Sequence, residues 1–116
     1  MDSILNSTKK LLGIDSLDES FDIDIITIIN STILSLSQMG IGPSNGFVVT
    51  SIADKWTDWI TSTTINLEGV KSYMYLKTKL IFDPPTSSAV IDAFNKNLNE
   101  LEWRMMLAVE TNNLEV

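Results

Sequence analysis

A stripe of apolar residues at helical spacing runs through residues 19–39. The positions that share this face are Ile25, Ile26, Ile29, Ile33 and Leu36. Acidic residues crowd the start of the segment, where the positive end of a helix dipole favours them, and Gly40 follows its end as a C-cap. The β-branched run 23–29 would also suit a strand, but the length of the segment and its end signals favour a long helix.

The same three- and four-residue spacing predicts three more helices, over residues 2–12, 68–82 and 87–109. Ser3 is a suitable N-cap for the first of them, and Gly13 ends it. The expected apolar positions of these helices are, in order, Ile4, Leu5, Leu11 and Leu12; Val70, Tyr73, Met74, Leu76, Leu80 and Ile81; and Val90, Phe94, Leu98, Leu101 and Met105. The remaining residues, 110–116, are expected to form a polar, acidic tail.

A proline corner separates the last two predicted helices. Residues before a proline are pushed out of the α region, so Phe82 and Asp83 must leave the helix ahead of Pro84 and Pro85. The three hydroxyl residues at 86–88 offer an N-cap for the helix that follows. The corner is therefore expected to set the angle between two helices.

The middle of the chain is predicted to be irregular. Residues 40–50 carry three glycines, a proline and an Asn-Gly pair, which are typical of a loop, and residues 47–50 could form one strand of a small hairpin. Residues 52–60 indicate a short helix or turn, and residues 61–67 an extended segment. The predicted fold is all-α: one domain, built as a small bundle of three to four helices with a short β-hairpin or extended insertion near residues 44–66.

The amino-acid composition excludes several classes of function but says less about the fold. The 116 residues include no Cys and no His, which excludes thiolate and imidazole catalysis and the metal sites built from those groups. A net charge of -7 with only 8 Lys and Arg argues against tight nucleic-acid binding. The N-terminal residues lack the pattern of a signal peptide, and the richest apolar run, 23–36, is too short and too polar to span a bilayer. We expect a soluble, intracellular, non-catalytic protein without a cofactor or metal.

Two groups of carboxylates are better explained as solvated surface charges than as a metal site or a catalytic pair. The acidic residues between positions 15 and 24 lack the spacing of a calcium loop and are expected to be solvated around the start of a helix. Asp54 and Asp58, next to Trp56 and Trp59, would need a sugar cleft to act as a glycosidase pair, and so small a chain offers none.

Trp103 lies on the side of the last predicted helix that faces away from its apolar stripe. It follows a member of the stripe by two residues, about 200° around the helix, and Met106 shares its side. Either another part of the same fold covers these residues, such as the loop or Trp56, or they form a subunit interface. Arg104, the only arginine, is spaced to pair with Glu100 within the helix but could instead bridge to a neighbouring subunit.

The second half of the chain carries motifs beyond what a bare bundle needs. They run YLKTKLIFDPP, then SSAVIDAFNKNLNELEW, then Arg104. This order resembles the C-terminal half of the head–tail connector, or adaptor, family of long-tailed phages that infect Gram-positive bacteria. The family pattern is a helix ending in F-D-P-P, a Ser-rich cap and a helix ending in E-W-R, matched here by Phe82, Asp83, Pro84, Pro85, Ser87, Ser88, Glu102, Trp103 and Arg104. Residues 70–104 carry the resemblance, KWTDWI at 55–60 resembles the family's central Trp-containing segment, and residues 1–40 match only in general character.

The resemblance implies a structural virion protein and not an enzyme. Adaptors of this kind assemble as a ring, commonly a dodecamer, beneath the portal protein. The ring extends the DNA channel without binding DNA specifically and presents a surface to the next neck component, a stopper or tail-completion protein. The implied location is the virion neck, after assembly in the host cytoplasm. The runner-up interpretation is a small acidic helical regulator or inhibitor that binds a phage or host protein.

The predicted contact residues fall into three groups. Candidates for the subunit interface are Trp103, Arg104 and Met106. Candidates for contact with the portal, by analogy with the family, are Glu110, Thr111, Asn112, Asn113, Leu114, Glu115 and Val116. Candidates for contact with the lower neck are the loop residues Ile41, Ser44, Asn45 and Phe47.

Overall fold

The protein folds as five helices, α1 (Ile4–Leu11), α2 (Asp22–Gln38), α3 (Trp56–Trp59), α4 (Leu67–Phe82) and α5 (Ser88–Leu114). The computed structural model describes residues 2–114, with side chains as far as residue 111. No strand occurs in that range, and one isolated antiparallel bridge joins Ser3 to Lys55. The predicted all-α class is therefore confirmed.

The helix ends follow the capping residues. The Ser3 hydroxyl accepts from the Asn6 amide at 3.2 Å to begin α1, as predicted, and the Asn66 side chain accepts from the Gly69 amide at 3.2 Å to begin α4. Gly40, with a φ of +93°, follows the end of α2. The stripe predicted for residues 19–39 is buried on one side of α2, so the strand alternative for residues 23–29 is wrong.

The proline corner ends α4 at Phe82, so Asp83 leaves the helix as predicted, whereas the prediction that Phe82 also leaves it is wrong. Asp83 is the C-cap of α4, and its carboxylate pairs with the Lys79 ammonium group at 2.6 Å. The Ser87 hydroxyl accepts from the Val90 amide at 3.4 Å at the start of α5. Phe82, the last residue of α4, packs edge-on against Phe21 just before α2, with ring centroids 5.4 Å apart. The corner thus connects two antiparallel helices and also contacts the start of α2.

The helix α5 is longer than predicted. It continues to Leu114, so the polar tail expected at 110–116 is helical over its described part. No glycine or proline follows Pro85 that would stop the helix. The Val109 side chain also packs closely on Gly40: a Cβ added to Gly40 would lie 3.0 Å from a methyl carbon of Val109. Packing of this last turn on the loop extends the helix beyond the predicted stripe.

The central helix of the bundle is α4. It packs extensively against α2 on one side and α5 on the other and also contacts α1, whereas α2 and α5 contact each other little within residues 2–114. The core contains one side of each long helix together with both tryptophans of α3. Its most buried members are Ile4, Leu5, Ile25, Ile29, Ile33, Leu36, Ile41, Val49, Trp56, Trp59, Val70, Tyr73, Met74, Leu98 and Met105.

Three residues predicted to be apolar contacts are exposed instead. Leu11 is 56% exposed, Ile81 60% and Val90 41%. Each lies in a terminal turn of its helix, in α1, α4 and α5 respectively, where the neighbouring helices no longer cover the stripe. The spacing of apolar residues identifies the buried face of a helix, but it does not show how far along the helix the neighbouring helices cover that face.

The middle segment forms an insertion without a strand in the described residues, so the hairpin alternative for it is wrong. Val49 lies outside any helix or strand, where its backbone amide donates to the Asn30 side chain at 2.8 Å and its carbonyl accepts from the same side chain at 3.0 Å. A single amide side chain on α2 thus replaces the second strand. The insertion is closed by Asp54, whose carboxylate accepts from the backbone amides of Thr50 and Ser51 at 2.7 and 3.1 Å.

Candidate assembly surfaces

An apolar patch lies on the outer side of α5. Trp103 is 61% exposed, Met106 49% and Leu107 41%, and we call these three residues the α5 patch. Leu98 and Met105 are buried on the opposite side of the same helix. Within the described residues, neither the loop nor Trp56, which is itself buried in the core, covers Trp103, so the interpretation in which the same fold covers it is wrong. Exposed apolar side chains grouped in this way are typical of a protein–protein contact.

A hydrogen bond between α4 and α5 orients this part of α5. The Tyr73 hydroxyl donates to a Glu102 carboxylate oxygen at 2.6 Å. Burial raises the pKa of Tyr73, and the hydrogen bond and negative charge of Glu102 raise it further. Since Glu102 faces α4, its neighbour Trp103 points to the outer side of α5. Sequence reasoning identified the E-W-R motif but missed this bond, because nothing local indicates which tyrosine would face Glu102.

Arg104 pairs within its own helix, as the spacing predicts. Its guanidinium donates to a Glu100 carboxylate oxygen at 2.6 Å, and the two side chains are 67% and 56% exposed. A solvated pair of this kind stabilises a helix by only about 0.3–0.5 kcal/mol. Arg104 therefore remains free to exchange its partner in an assembly.

The loop candidates occupy three different environments. Ile41 is completely buried, so it supports the loop from inside and does not present a contact surface. Phe47 is half-buried and stacks on Trp59, with ring centroids 6.4 Å apart. Ser44 and Asn45 are exposed at the loop tip. Of the predicted lower-neck residues, these last two are the most accessible.

A shallow groove of about 350 Å³ lies between the exposed side of α2 and the loop. Its exposed apolar residues are Leu34 and Val48, 61% and 63% exposed. We call this surface the α2 groove, and the rest of its lining is Asn30, Ile33, Ser37, Asn45, Gly46 and Phe47. Sequence reasoning missed the groove, although a signal was present: residues 25–53 contain no charged side chain.

The predicted portal-contact residues extend α5. Glu110 and Thr111 are exposed on its last turns. Asn112, Asn113 and Leu114 belong to the same helix, and their side chains lie outside the description. Glu115 and Val116 lie outside the described residues altogether.

The acidic segment between positions 15 and 24 has one buried cation beside it. The Lys9 side chain has no exposed surface, and its ammonium group lies 2.7 Å from an Asp22 carboxylate oxygen. It also donates to the backbone carbonyls of Asp18 at 2.6 Å and Ser16 at 3.2 Å. In the part of the chain that the structure describes, no group of three or more Asp or Glu side chains is placed to hold a metal ion. No helix of that part is long and apolar enough to cross a membrane.

Comparison with known proteins gives one match. A family model described as phage connector protein matches residues 4–112, nearly the whole chain. No curated protein and no solved structure matches.

Proposed function

The chain belongs to the phage connector protein family, and from that premise we propose that it forms the adaptor ring of a phage head–tail connector. A structural role in the head–tail connector and association with the virion follow from the family, which is generally non-enzymatic. The proposal adds the ring itself, with a dodecamer expected from the resemblance, and its place beneath the portal. A match over nearly the whole chain favours this role over a monomeric acidic regulator. A host among Gram-positive bacteria remains a prediction of the resemblance alone.

The observation that carries the proposal is the α5 patch. A closed ring of identical subunits needs a surface on each copy that docks on a different surface of the next copy. Trp103 and Met106 supply an exposed apolar surface, and Arg104 beside them carries a charge held only by a weak pair. Tryptophan and arginine are the residues most enriched among the energetically dominant positions of protein interfaces.

The remaining predicted contacts concern the two ends of the proposed ring. We propose that residues 110–116, which include the last turns of α5, reach the portal, and that the loop tip at Ser44 and Asn45 meets the stopper or tail-completion protein. A chain that ends at Val109 should fold but fail to bind the portal ring in a pull-down assay. Retained portal binding by that shortened chain would refute the portal assignment.

The negative charge of the protein suits a conduit for DNA. A net charge of -7 in each subunit repels phosphates, so moving DNA should slide past without adhering to the wall. A gel-shift assay at low salt should therefore detect no tight binding of duplex DNA by the free protein. Tight binding would contradict the proposal.

The ring contact is tested by Trp103→Ala. We expect the wild type to form a high-mass species and this variant to lose it, measured by size-exclusion chromatography with light scattering, while the circular dichroism of the variant stays helical. Leu17→Ala is the matched control, because Leu17 is 88% exposed but distant in sequence from the α5 patch. Ring formation by Trp103→Ala equal to that of the control would remove the proposed interface.

A further inference from the structure

Two exposed apolar surfaces belong to different helices of the subunit. The α5 patch and the α2 groove lie on helices that each pack against α4, and α2 and α5 contact each other little in the described part of the chain. Trp103 and Leu34 each lie roughly 150° around their helix from the centre of its buried stripe, so both point away from α4. A copy of the chain therefore presents two separate apolar surfaces, one on the outer side of α5 and one on the outer side of α2.

The α2 groove lies on a surface without charge. Residues 25–53 contain no Asp, Glu, Lys or Arg, although charged residues make up 20% of the chain. The exposed positions of α2 in this range include Thr27, Ser31, Leu34 and Ser35. A helix side that remains in water normally carries charges, whereas the centre of a protein interface is depleted of them. This side of α2 has the composition of an interface.

The absence of charge also selects the occupant. A strongly basic or acidic partner would lose hydration on entering the groove without meeting a counter-charge. The three side chains of the α5 patch, Trp103, Met106 and Leu107, are apolar, and the charged Arg104 beside them can stay in water at the rim of the contact. The α5 patch is also present in the same number of copies as the groove, because both surfaces belong to one chain. The surface that best complements the groove is therefore on a second copy.

We propose that the α5 patch of one copy inserts into the α2 groove of the next copy. This inference rests on the proposed ring and names the two surfaces that meet in it. The contact is heterologous, because the patch and the groove are different surfaces, and repetition around an axis closes a ring. The groove, of about 350 Å³, has a volume in the range of small binding pockets, about 300–1,000 Å³. Trp103 is the side chain we expect to fill it.

The flanking helices supply the rest of the contact area. A stable interface buries about 800 Å² on each partner, more than one aromatic side chain, which buries about 150–250 Å². The 17 residues of α2 extend about 25 Å and the 27 residues of α5 about 40 Å, so the two helices can lie side by side along the full length of α2. Trp103 in the groove then fixes the register of this helix pair.

Cysteine cross-linking tests which surfaces meet. The chain has no native Cys, so introduced thiols are unique. The test chain carries Leu34→Cys and Met106→Cys together, and the single variants are the controls. A flexible bismaleimide avoids the short Cα–Cα distance that a disulfide requires. We expect a ladder of covalent multimers from the double variant and monomers from each single variant. Covalent dimers from Met106→Cys alone would mean that α5 of one copy packs on α5 of another, which would overturn the proposal. The absence of a ladder from the double variant would also overturn it.

A mixing experiment tests the direction of the contact. Trp103→Glu disrupts the α5 patch but leaves the α2 groove intact, and Leu34→Glu does the reverse. Both positions are 61% exposed, so both variants should fold. Neither variant should assemble alone, but an equimolar mixture should give a heterodimer that cannot grow. Ring formation by either variant, or no heterodimer, would overturn the proposal.

The same chains separate this inference from the connector role. Wild-type rings bound to a portal, without a ladder from the double-cysteine chain, would refute the contact and leave the role intact. A ladder from a protein that never binds a portal would support the contact and refute the role.

Discussion

The Lys9 ammonium group lies 2.7 Å from an Asp22 carboxylate oxygen, and the lysine side chain has no exposed surface. The backbone carbonyls of Ser16 and Asp18 accept hydrogen bonds from the same ammonium group, so one ion pair and two hydrogen bonds hold Lys9 in place. This arrangement joins the end of α1 to the start of α2 across the turn between them. It positions the acidic turn and the first residues of α2, and it makes Lys9 a structural residue.

We expect Lys9→Met to lower the free energy of unfolding by about 2–4 kcal/mol. Removing one partner of a buried pair costs about 3–5 kcal/mol, and the expected value is smaller because Asp22 keeps 20% of its side chain exposed. Urea unfolding followed by circular dichroism measures the change. Lys10→Met is the matched control, because Lys10 is exposed and should have little effect. Equal effects of the two substitutions would contradict the structural role of Lys9.

Gly42 is predicted to be intolerant of a side chain. Its φ is +91°, and a Cβ would lie 2.5 Å from Nε1 of the buried Trp59. Gly42→Ala should destabilise the fold by about 2–4 kcal/mol, since backbone strain and overpacking each cost roughly 1–3 kcal/mol. Gly46→Ala has a similar φ of +87° with nothing within 4 Å and should cost only the strain. Thermal unfolding of the two variants therefore isolates the contact with Trp59, and equal losses would argue against it.

Tyr73→Phe should lower the free energy of unfolding by about 1–2 kcal/mol. The substitution removes the 2.6 Å hydrogen bond to Glu102, and a hydrogen bond to a charged group contributes about 1.5–3 kcal/mol, less where the carboxylate is partly solvated. Tyr75→Phe is the control, because Tyr75 is half-buried against Phe94 and its hydroxyl makes no hydrogen bond within the described residues. Chemical denaturation that ranks the two variants in the opposite order would contradict this account of the α4–α5 contact.

The turn closed by Asp54 should respond to acid. The hydrogen bond from the Thr50 amide lowers the pKa of Asp54 below its ordinary value of 3.8, with smaller contributions from the Ser51 amide and the Thr50 hydroxyl, and partial burial opposes them. Because the folded state favours the carboxylate, its contribution to stability is complete above the unfolded pKa and is lost as the pH falls below 3.8 through the folded pKa. Asp54→Asn should therefore be less stable at neutral pH and lose less stability on acidification. A carboxyl titration midpoint of 3.8 or higher, measured by NMR, would contradict the direction of this shift.

The sequence predicts the helices better than the surfaces because helices depend on local pattern. The stripe from Ile25 to Leu36, the corner at Pro84 and the Glu100–Arg104 pair all involve residues at most a few turns apart, and the structure contains each of them. The burial of Lys9 is different, since its neighbour Lys10 has the same local chemistry and only the packing of α2 decides which of the two is enclosed.

Contacts between distant segments explain the remaining errors. Asn30 replaces a β-strand partner for Val49, 19 residues away, so the hairpin alternative that β propensity suggested is wrong. Val109 packs against Gly40, and this contact stabilises the turn of α5 at its predicted end, so the helix continues. The same limit explains why Trp103 and Met106 of the α5 patch could be predicted from one helix, whereas the uncharged run 25–53 does not show how a helix and a loop together form the α2 groove.

The most direct test of the connector role is electron microscopy of the purified chain mixed with portal rings of its phage. We predict an added ring on one face of the portal, coaxial with the channel, with the copy number set by the portal and with no ring when Trp103→Ala is used. Portal rings that remain bare at saturating concentrations of the wild-type chain would contradict the account.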